Sequence, residues 1–256
     1  MDVDELLGWY ERVRRPLPWR ATRDPYALLV SEVMLQQTQA LRVVPYYERW
    51  LSELPDARSL ADAPTRLVLS LWSGLGYNRR ALSLQRAAVH VSEHGWPSDL
   101  TDLPGVGPYT AAAVASFAWD VQVAAVDTNV RRVLTRRDGR ARSPREFAAA
   151  AQALVPPGQA ATFNQAMMEL GATVCRPRNP SCPACPVSRG CGRVIESPAK
   201  RVGAVRFEDT DRYLRGRVIA ALLDGSALPD SAERVLEGLQ RDGLIELDPD
   251  GRPKLP

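Results

Sequence analysis

The 256-residue chain is predicted to be mainly α-helical. Apolar residues recur at helical spacing over most of its length, and no alternating run of strand length occurs before residue 200. Proline and capping residues also punctuate the pattern at helix-like intervals. Val3, Leu6, Leu7, Tyr10 and Val13 form one apolar stripe, and the helix they define stops before Pro16 and Pro18. Asp24-Pro25 supplies a cap and a proline for the first helical position, opening a helix through YALLVSEVMLQQ. Further helices are predicted at about 39–52, 64–73, 78–94, 108–118, 128–137, 144–154 and 160–174. Pro, Arg and Cys crowd residues 175–201, which excludes a regular helix there. Past Phe207, RYLRGRVIAALL and SAERVLEGLQRDG read as helices. LIEL-DPDG-RPKL follows as a hairpin turning at Asp250-Gly251, and together they suggest a small winged-helix-like module.

Hydrophobic residues make up 45% and charged residues 25%, a globular composition that excludes a disordered or fibrous chain. No apolar run approaches the roughly 20 residues of a transmembrane helix, and the start MDVDELLGWYERVRR is acidic and amphipathic. No membrane partner is therefore expected, and the expected compartment is the cytoplasm. The net charge of +3 is unevenly spread: residues 208–256 carry 11 acidic and 7 basic side chains, leaving +7 on residues 1–207. Seven arginines and one acid lie between Arg131 and Arg145, and seven basic residues and one acid between Arg176 and Arg206. Two such runs suit a phosphate backbone. Only Lys200 and Lys254 are lysines, which constrains any mechanism that needs an amine.

All four cysteines fall in Cys175-x6-Cys182-x2-Cys185-x5-Cys191. With no export signal, disulfides are not expected, and thiols gathered this tightly point to metal ligation. Four thiolates suit either tetrahedral zinc or an iron–sulfur cluster, although zinc ribbons usually pair two C-x2-C knuckles and here there is one. Leu103-Pro-Gly-Val-Gly-Pro-Tyr-Thr-Ala111 reads as a helix–hairpin–helix. Pro104 ends the incoming segment, Gly105 and Gly107 permit a tight turn with exposed N–H groups, and the next helix starts at once. That combination binds phosphate without sequence preference. QVAAVDTNVRRV, at 122–133, then brings Asp127 to a helix entrance.

The motifs LPWR (17–20), SEVMLQQTQ (31–39), GLGY (74–77), LPGVGPYTA (103–111), VDTNVRRV (126–133), FNQAMMELGA (163–172) and the cysteine loop follow in one order. In that order the chain resembles MutY-type adenine DNA glycosylases of the helix–hairpin–helix/endonuclease III superfamily, over about residues 5–195. The resemblance implies a two-lobed helix–hairpin–helix fold. Residues 1–19 and 128–200 would form an iron–sulfur cluster lobe, 20–127 a six-helix barrel lobe, and 207–256 the winged-helix-like module. It implies a [4Fe–4S] cluster on Cys175, Cys182, Cys185 and Cys191. It also implies excision of adenine mispaired with 8-oxoguanine or guanine, by a monomer acting on duplex DNA in the cytoplasm, at the nucleoid.

Breaking an N-glycosidic bond requires a proton donor at the base and negative charge near the sugar. Glu32, amid Val33, Met34 and Leu35, is expected to be desolvated and protonated, whereas Asp127 at a helix N-terminus is expected to be ionised. By resemblance Glu32 is the general acid and Asp127 stabilises the oxocarbenium-like sugar, with Tyr109 and Asn129 flanking the centre. The resemblance also puts Trp19, Arg20 and Gln165 in the adenine pocket. Gln36, Gln37, Gly76, Tyr77, Gly105 and Gly107 would contact DNA, the glutamines filling the space a flipped base leaves.

Two departures stand out. Asn78 follows GLGY where the family often has a second tyrosine, and the stretch after Phe207 is too short for the Nudix-like domain of typical relatives. The competing readings are a thymine glycosylase for T·G mismatches, left open by Ala40 and opposed by Gln165, and a non-catalytic iron–sulfur DNA-binding protein. Tyr109 occupies the position where lyases of the superfamily carry a lysine, so a monofunctional enzyme is expected.

Overall fold

Half of the described α-helices start at a side chain that accepts a hydrogen bond from an otherwise unpaired N–H. The computed structural model describes residues 1–193 and 206–256. Asp2 caps α1 (Val3–Val13), Asp24 accepts from Tyr26 and Ala27 at the start of α2 (Pro25–Leu35), and Asp127 caps α8 (Thr128–Asp138). Capping boxes open α4 (Ala57–Asp62, Asp56 with Ser59) and α9 (Pro144–Gln152, Ser143 with Glu146). The remaining helices before the cysteine loop are α3 (Ala40–Glu53), α5 (Thr65–Trp72), α6 (Arg79–His94), α7 (Pro108–Trp119) and α10 (Ala160–Thr173). Beyond it, α11 (Asp211–Asp224) and α12 (Glu233–Arg241) precede β1 (Glu246–Leu247) and β2 (Pro253–Lys254). The strands pair antiparallel with Glu246 opposite Lys254, and Gly251 takes the positive φ of their turn. Periodicity misses α4 because six residues are too few to show a period; Asp56 and Ser59 were its readable signal.

The chain divides into two compact units, residues 1–32 with 106–199 and residues 33–105 with 200–256. These boundaries fall inside α2 and in the turn at Gly105, not at the residues 20 and 128 that sequence reading suggests. The reason is packing: α10 lies against α1, α7 and α8 alike, so α7 belongs with the helices that follow it.

In the first unit Leu6, Tyr10, Leu134, Phe163, Met167 and Leu170 are buried in one cluster, and Leu28, Ala113, Phe117 and Ala125 in another. Gly171 lets α10 approach α8 closely, since a Cβ there would sit 2.5 Å from that of Asn129.

In the second unit α6 carries α4 and α5, α3 packs on α5, and Trp50 meets Trp72 edge-to-face at 5.6 Å with neither exposed. The C-terminal helices do not close a core of their own. Leu214, Val218, Ile219, Val235 and Leu239 bury themselves together with Leu69 of α5 and Leu82 of α6. A tail of this length can bury little of its own surface, and the core shared with α5 and α6 adds to what holds it.

Candidate active site

Glu32 sits on the first-unit part of α2 and is only 4% exposed. Burial pushes its carboxyl up from 4.5 to about 7; a hydrogen bond from the Tyr109 hydroxyl opposes the rise, and the negative Asp127 adds to it. Tyr109 stands at the first turn of α7, where Gly107 is the cap and Pro108 the first residue. Its hydroxyl also approaches the Met168 sulfur at 3.8 Å, and burial, then Glu32 and Asp127, drive its ionisation well above the ordinary phenol range. One Asp127 oxygen accepts from Val130 N at 2.7 Å and the other from Asn129 Nδ2 at 2.7 Å. Glu32, Tyr109, Asp127 and Asn129 therefore form one cluster within one unit. It pairs a buried, proton-holding carboxyl with a carboxylate held by N–H donors.

A second group lies along α10. Gln165, Met168 and Glu169 share one helix face by their spacing. The Tyr10 hydroxyl donates to Gln165 Oε1 at 2.5 Å, fixing which end of the amide is free to donate. Glu169 is fully buried and receives both Nε and Nη2 of Arg15 at 2.8 Å and Nη2 of Arg20 at 2.6 Å. Burial alone would push the Glu169 carboxyl up, but the two guanidiniums outweigh it and hold it below the usual carboxylate range. Arg20 also lies over the Tyr10 ring, 5.5 Å from its centroid, and Trp19 is buried beside it in the chain. Arg20 and Gln165 are thus tied into one network, with Tyr10 and Glu169 as its links.

The four cysteine side chains, each half-buried, line one cavity of about 40 Å³ together with Arg136, Val174 and Pro180. None of the four is joined in a disulfide. The buried Arg136 guanidinium donates to Cys175 Sγ at 3.5 Å, and the Arg136 carbonyl accepts from the Cys191 thiol at 3.6 Å. Burial, and then the neighbouring thiols, push the Cys185 thiol up. Among the described residues no group of three or more metal-binding side chains closes around a single ion. Four soft sulfur donors around one shared cavity are a donor set that fits thiolate ligation of a metal or an iron–sulfur cluster.

In the second unit Gln37 and Tyr77 adopt left-handed backbone, with φ of 59° and 50°, and Gly76 has φ 74°. Arg80 organises both turns: it donates to the carbonyls of Val33 at 2.6 Å, Gln36 at 2.7 Å and Gly76 at 3.0 Å, and stacks on Trp72 and Tyr77. Gln37, Gly76 and Tyr77 line one open cavity, whereas Gln36 contributes its carbonyl to Arg80. Gly105 (φ 79°) leaves no room for a side chain against Ser83, which a Cβ would meet at 2.6 Å. Gly107 is the extended cap of α7.

Sequence reasoning missed several residues that hold these side chains. Asn164 is buried and ties the approach to Asp127, accepting from Ala125 N and donating to Val123 O and Ser116 Oγ. Arg132 donates to Asn129 Oδ1 at 2.6 Å, to Gly171 O at 2.7 Å and to Cys175 O at 2.8 Å. Asn164 stands directly before Gln165, and Glu169 follows it by four residues, so helical spacing from Gln165 was the signal available. Nothing local marks Arg80 or Arg132 among the chain's many arginines.

The model of the HhH-GPD superfamily of base excision DNA repair proteins matches residues 30–157. An adenine DNA glycosylase of Mycolicibacterium smegmatis is 43% identical over 97% of this chain and 94% of its own. One of Mycobacterium tuberculosis (strain CDC 1551 / Oshkosh) is 41% identical over 98% and 92%. Among solved structures, a thermostable thymine-DNA glycosylase superposes with a TM-score of 0.70, is 32% identical, and covers 75% of this chain and 94% of its own. No described helix is long and apolar enough to cross a membrane. The chain belongs to the HhH-GPD superfamily of base excision DNA repair proteins.

Proposed function

We propose that this chain excises adenine mispaired with 8-oxoguanine or guanine in duplex DNA, by hydrolysing the N-glycosidic bond. The observation that carries the reading is the pairing of Glu32, a buried carboxyl raised to about 7, with Asp127, whose two oxygens accept from N–H donors. Two carboxyls driven to opposite tasks are what a reaction with a developing cation and a departing base requires. As the bond from the sugar C1′ to adenine breaks, its electron pair leaves with the base and Glu32 gives its proton to a ring nitrogen. Asp127 faces the positive charge on the sugar, and a water adds at C1′ and returns a proton to Glu32. Asn129 holds Asp127, and the Tyr109 hydroxyl holds Glu32. Gln165 and Arg20 meet the edge of the flipped base, and Gln36 and Gln37 fill the gap in the duplex.

Cys175, Cys182, Cys185 and Cys191 would hold a [4Fe–4S] cluster, which when bound braces the arginine-rich loop for phosphate contact. Identity near 43% to adenine glycosylases over nearly the whole chain supports adenine over thymine. Incubation with A·8-oxoG, A·G, T·G and thymine-glycol duplexes, followed by alkali, tests the reading. Nicks at adenine in the first two are expected; nicking of T·G or thymine glycol alone would refute it.

A further inference from the structure

The chain crosses from α7 to α8 through residues 121–127, which belong to no helix or strand and end on Asp127. Backbone groups in such a segment need partners from elsewhere. Two side-chain amides supply them. Gln152, the last residue of α9, donates from Nε2 to Gln122 O at 2.9 Å and accepts at Oε1 from Ala124 N at 3.0 Å. Asn164 of α10 donates from Nδ2 to Val123 O at 2.8 Å and accepts at Oδ1 from Ala125 N at 2.9 Å. Each amide takes a carbonyl and the N–H two residues on, and the two amides grip alternate residues. Strands on either side would offer the same bonding; here two side chains make it.

The segment is also tied at both ends. Asp120, in left-handed backbone after α7, accepts at Oδ1 from Ala161 N at 2.9 Å, and Asp127 accepts from Val130 N. Asn164 is buried, and its Nδ2 donates further to the buried Ser116 Oγ at 3.0 Å. Ala125 shares a core cluster with Leu28 and Ala113, which stand one helical turn from Glu32 and Tyr109. Gln152, by contrast, lies at the surface. A slip of the segment by one residue would exchange its two sides and carry Asp127 about 3.3 Å along the chain.

We propose that Gln152 and Asn164 are positioning residues of the reaction: their amides hold residues 122–125 in register and so set where the Asp127 carboxylate meets the sugar. The assignment rests on the glycosylase reading, which gives Asp127 the charge developing at C1′ to face. Asn129 holds the Asp127 side chain, whereas the two amides hold the backbone that delivers it. A misplacement of about 1 Å at a reacting group costs up to about 10²-fold in rate, so a partial loosening of this grip is visible in the chemical step.

The test uses the full chain. Asn164→Leu keeps the branched shape and leaves Val123 O and Ala125 N unpaired; Gln152→Met does the same to Gln122 O and Ala124 N at the surface, away from the core. Single-turnover release of adenine from an A·8-oxoG duplex is expected to fall about tenfold in the first and about threefold in the second. Binding to a duplex whose adenine carries a 2′-fluorine, and so is not released, should be unchanged in both. Neither substitution should slow release further once Asp127 is replaced by asparagine, because the carboxylate they place is then gone. Amide hydrogen exchange should quicken at Ala124 in Gln152→Met and at Ala125 in Asn164→Leu. Native release rates in the variants, or losses of the same size in the Asp127→Asn background, would overturn the assignment; if Asn164→Leu does not fold, Gln152→Met decides it. Failure of the wild type to release adenine would refute the glycosylase reading, whereas adenine release at equal rates by wild type and variants would refute only the positioning role.

Discussion

Replacing Glu32 with glutamine should strengthen the fold at alkaline pH while removing the chemistry. Burial raises the Glu32 carboxyl from 4.5 to about 7 in the folded chain. The folded state then binds the proton more tightly than the unfolded one, so stability is complete below about pH 4.5 and is lost as pH rises toward 7. Above that it is level. At about 1.36 kcal/mol per pH unit, the ionised carboxyl costs about 3 kcal/mol at pH 8. Glutamine has the same shape and no proton to lose. Urea unfolding at pH 5 should show little difference between the two proteins; at pH 8 the variant should be more stable by about 3 kcal/mol, a visible part of a typical 5–15 kcal/mol. Single-turnover base release by the wild type should fall tenfold per unit above about pH 7, and the variant should lose about 10²- to 10⁴-fold at every pH. Parallel stability curves from pH 5 to 8 would refute the argument that Glu32 is a buried proton carrier.

Asp127→Asn retains a good helix cap and both nearby donors, so its melting temperature should hold while base release falls by about 10²-fold or more; near-native single-turnover rates would remove Asp127 from the chemistry. With Tyr109 at the lyase position and only Lys200 and Lys254 as side-chain amines, borohydride should trap little covalent adduct, and Tyr109→Lys should gain trapping. Tyr10→Phe deletes the hydroxyl that fixes the Gln165 amide and should lower kcat/KM about fivefold, the worth of one hydrogen bond; an unchanged value would mean that Gln165 does not read the base. Purified protein should contain iron and acid-labile sulfide in equal amounts, both lost in Cys182→Ala, whereas stoichiometric zinc would exclude the cluster.

Many helices were legible because their apolar stripe is bounded by a cap or a proline that acts locally, as at Asp24-Pro25 and Asp127. Glu32 was legible for a related reason: a carboxylate set among Val33, Met34 and Leu35 has little chance of reaching water. The chain's division was not legible, since α7 joins the helices after it through contacts with α10 that no local pattern encodes. Arg80 and Arg132 were equally hidden. Their importance comes from which carbonyls they reach across the fold, and in sequence they are two arginines among many. Glu169 lay between these cases, visible by its spacing from Gln165 but not by its partners Arg15 and Arg20, which are about 150 residues away.

The core that the tail shares with Leu69 and Leu82 bears on how this enzyme lineage can change. A domain joined by a linker can be lost, swapped or appended without disturbing its neighbour. This tail is more like a keystone: cutting the chain near Phe207 would bare the apolar flanks of α5 and α6 to water. Any change in the tail must therefore proceed by single side chains on its outer face, one at a time, with the inner face held fixed.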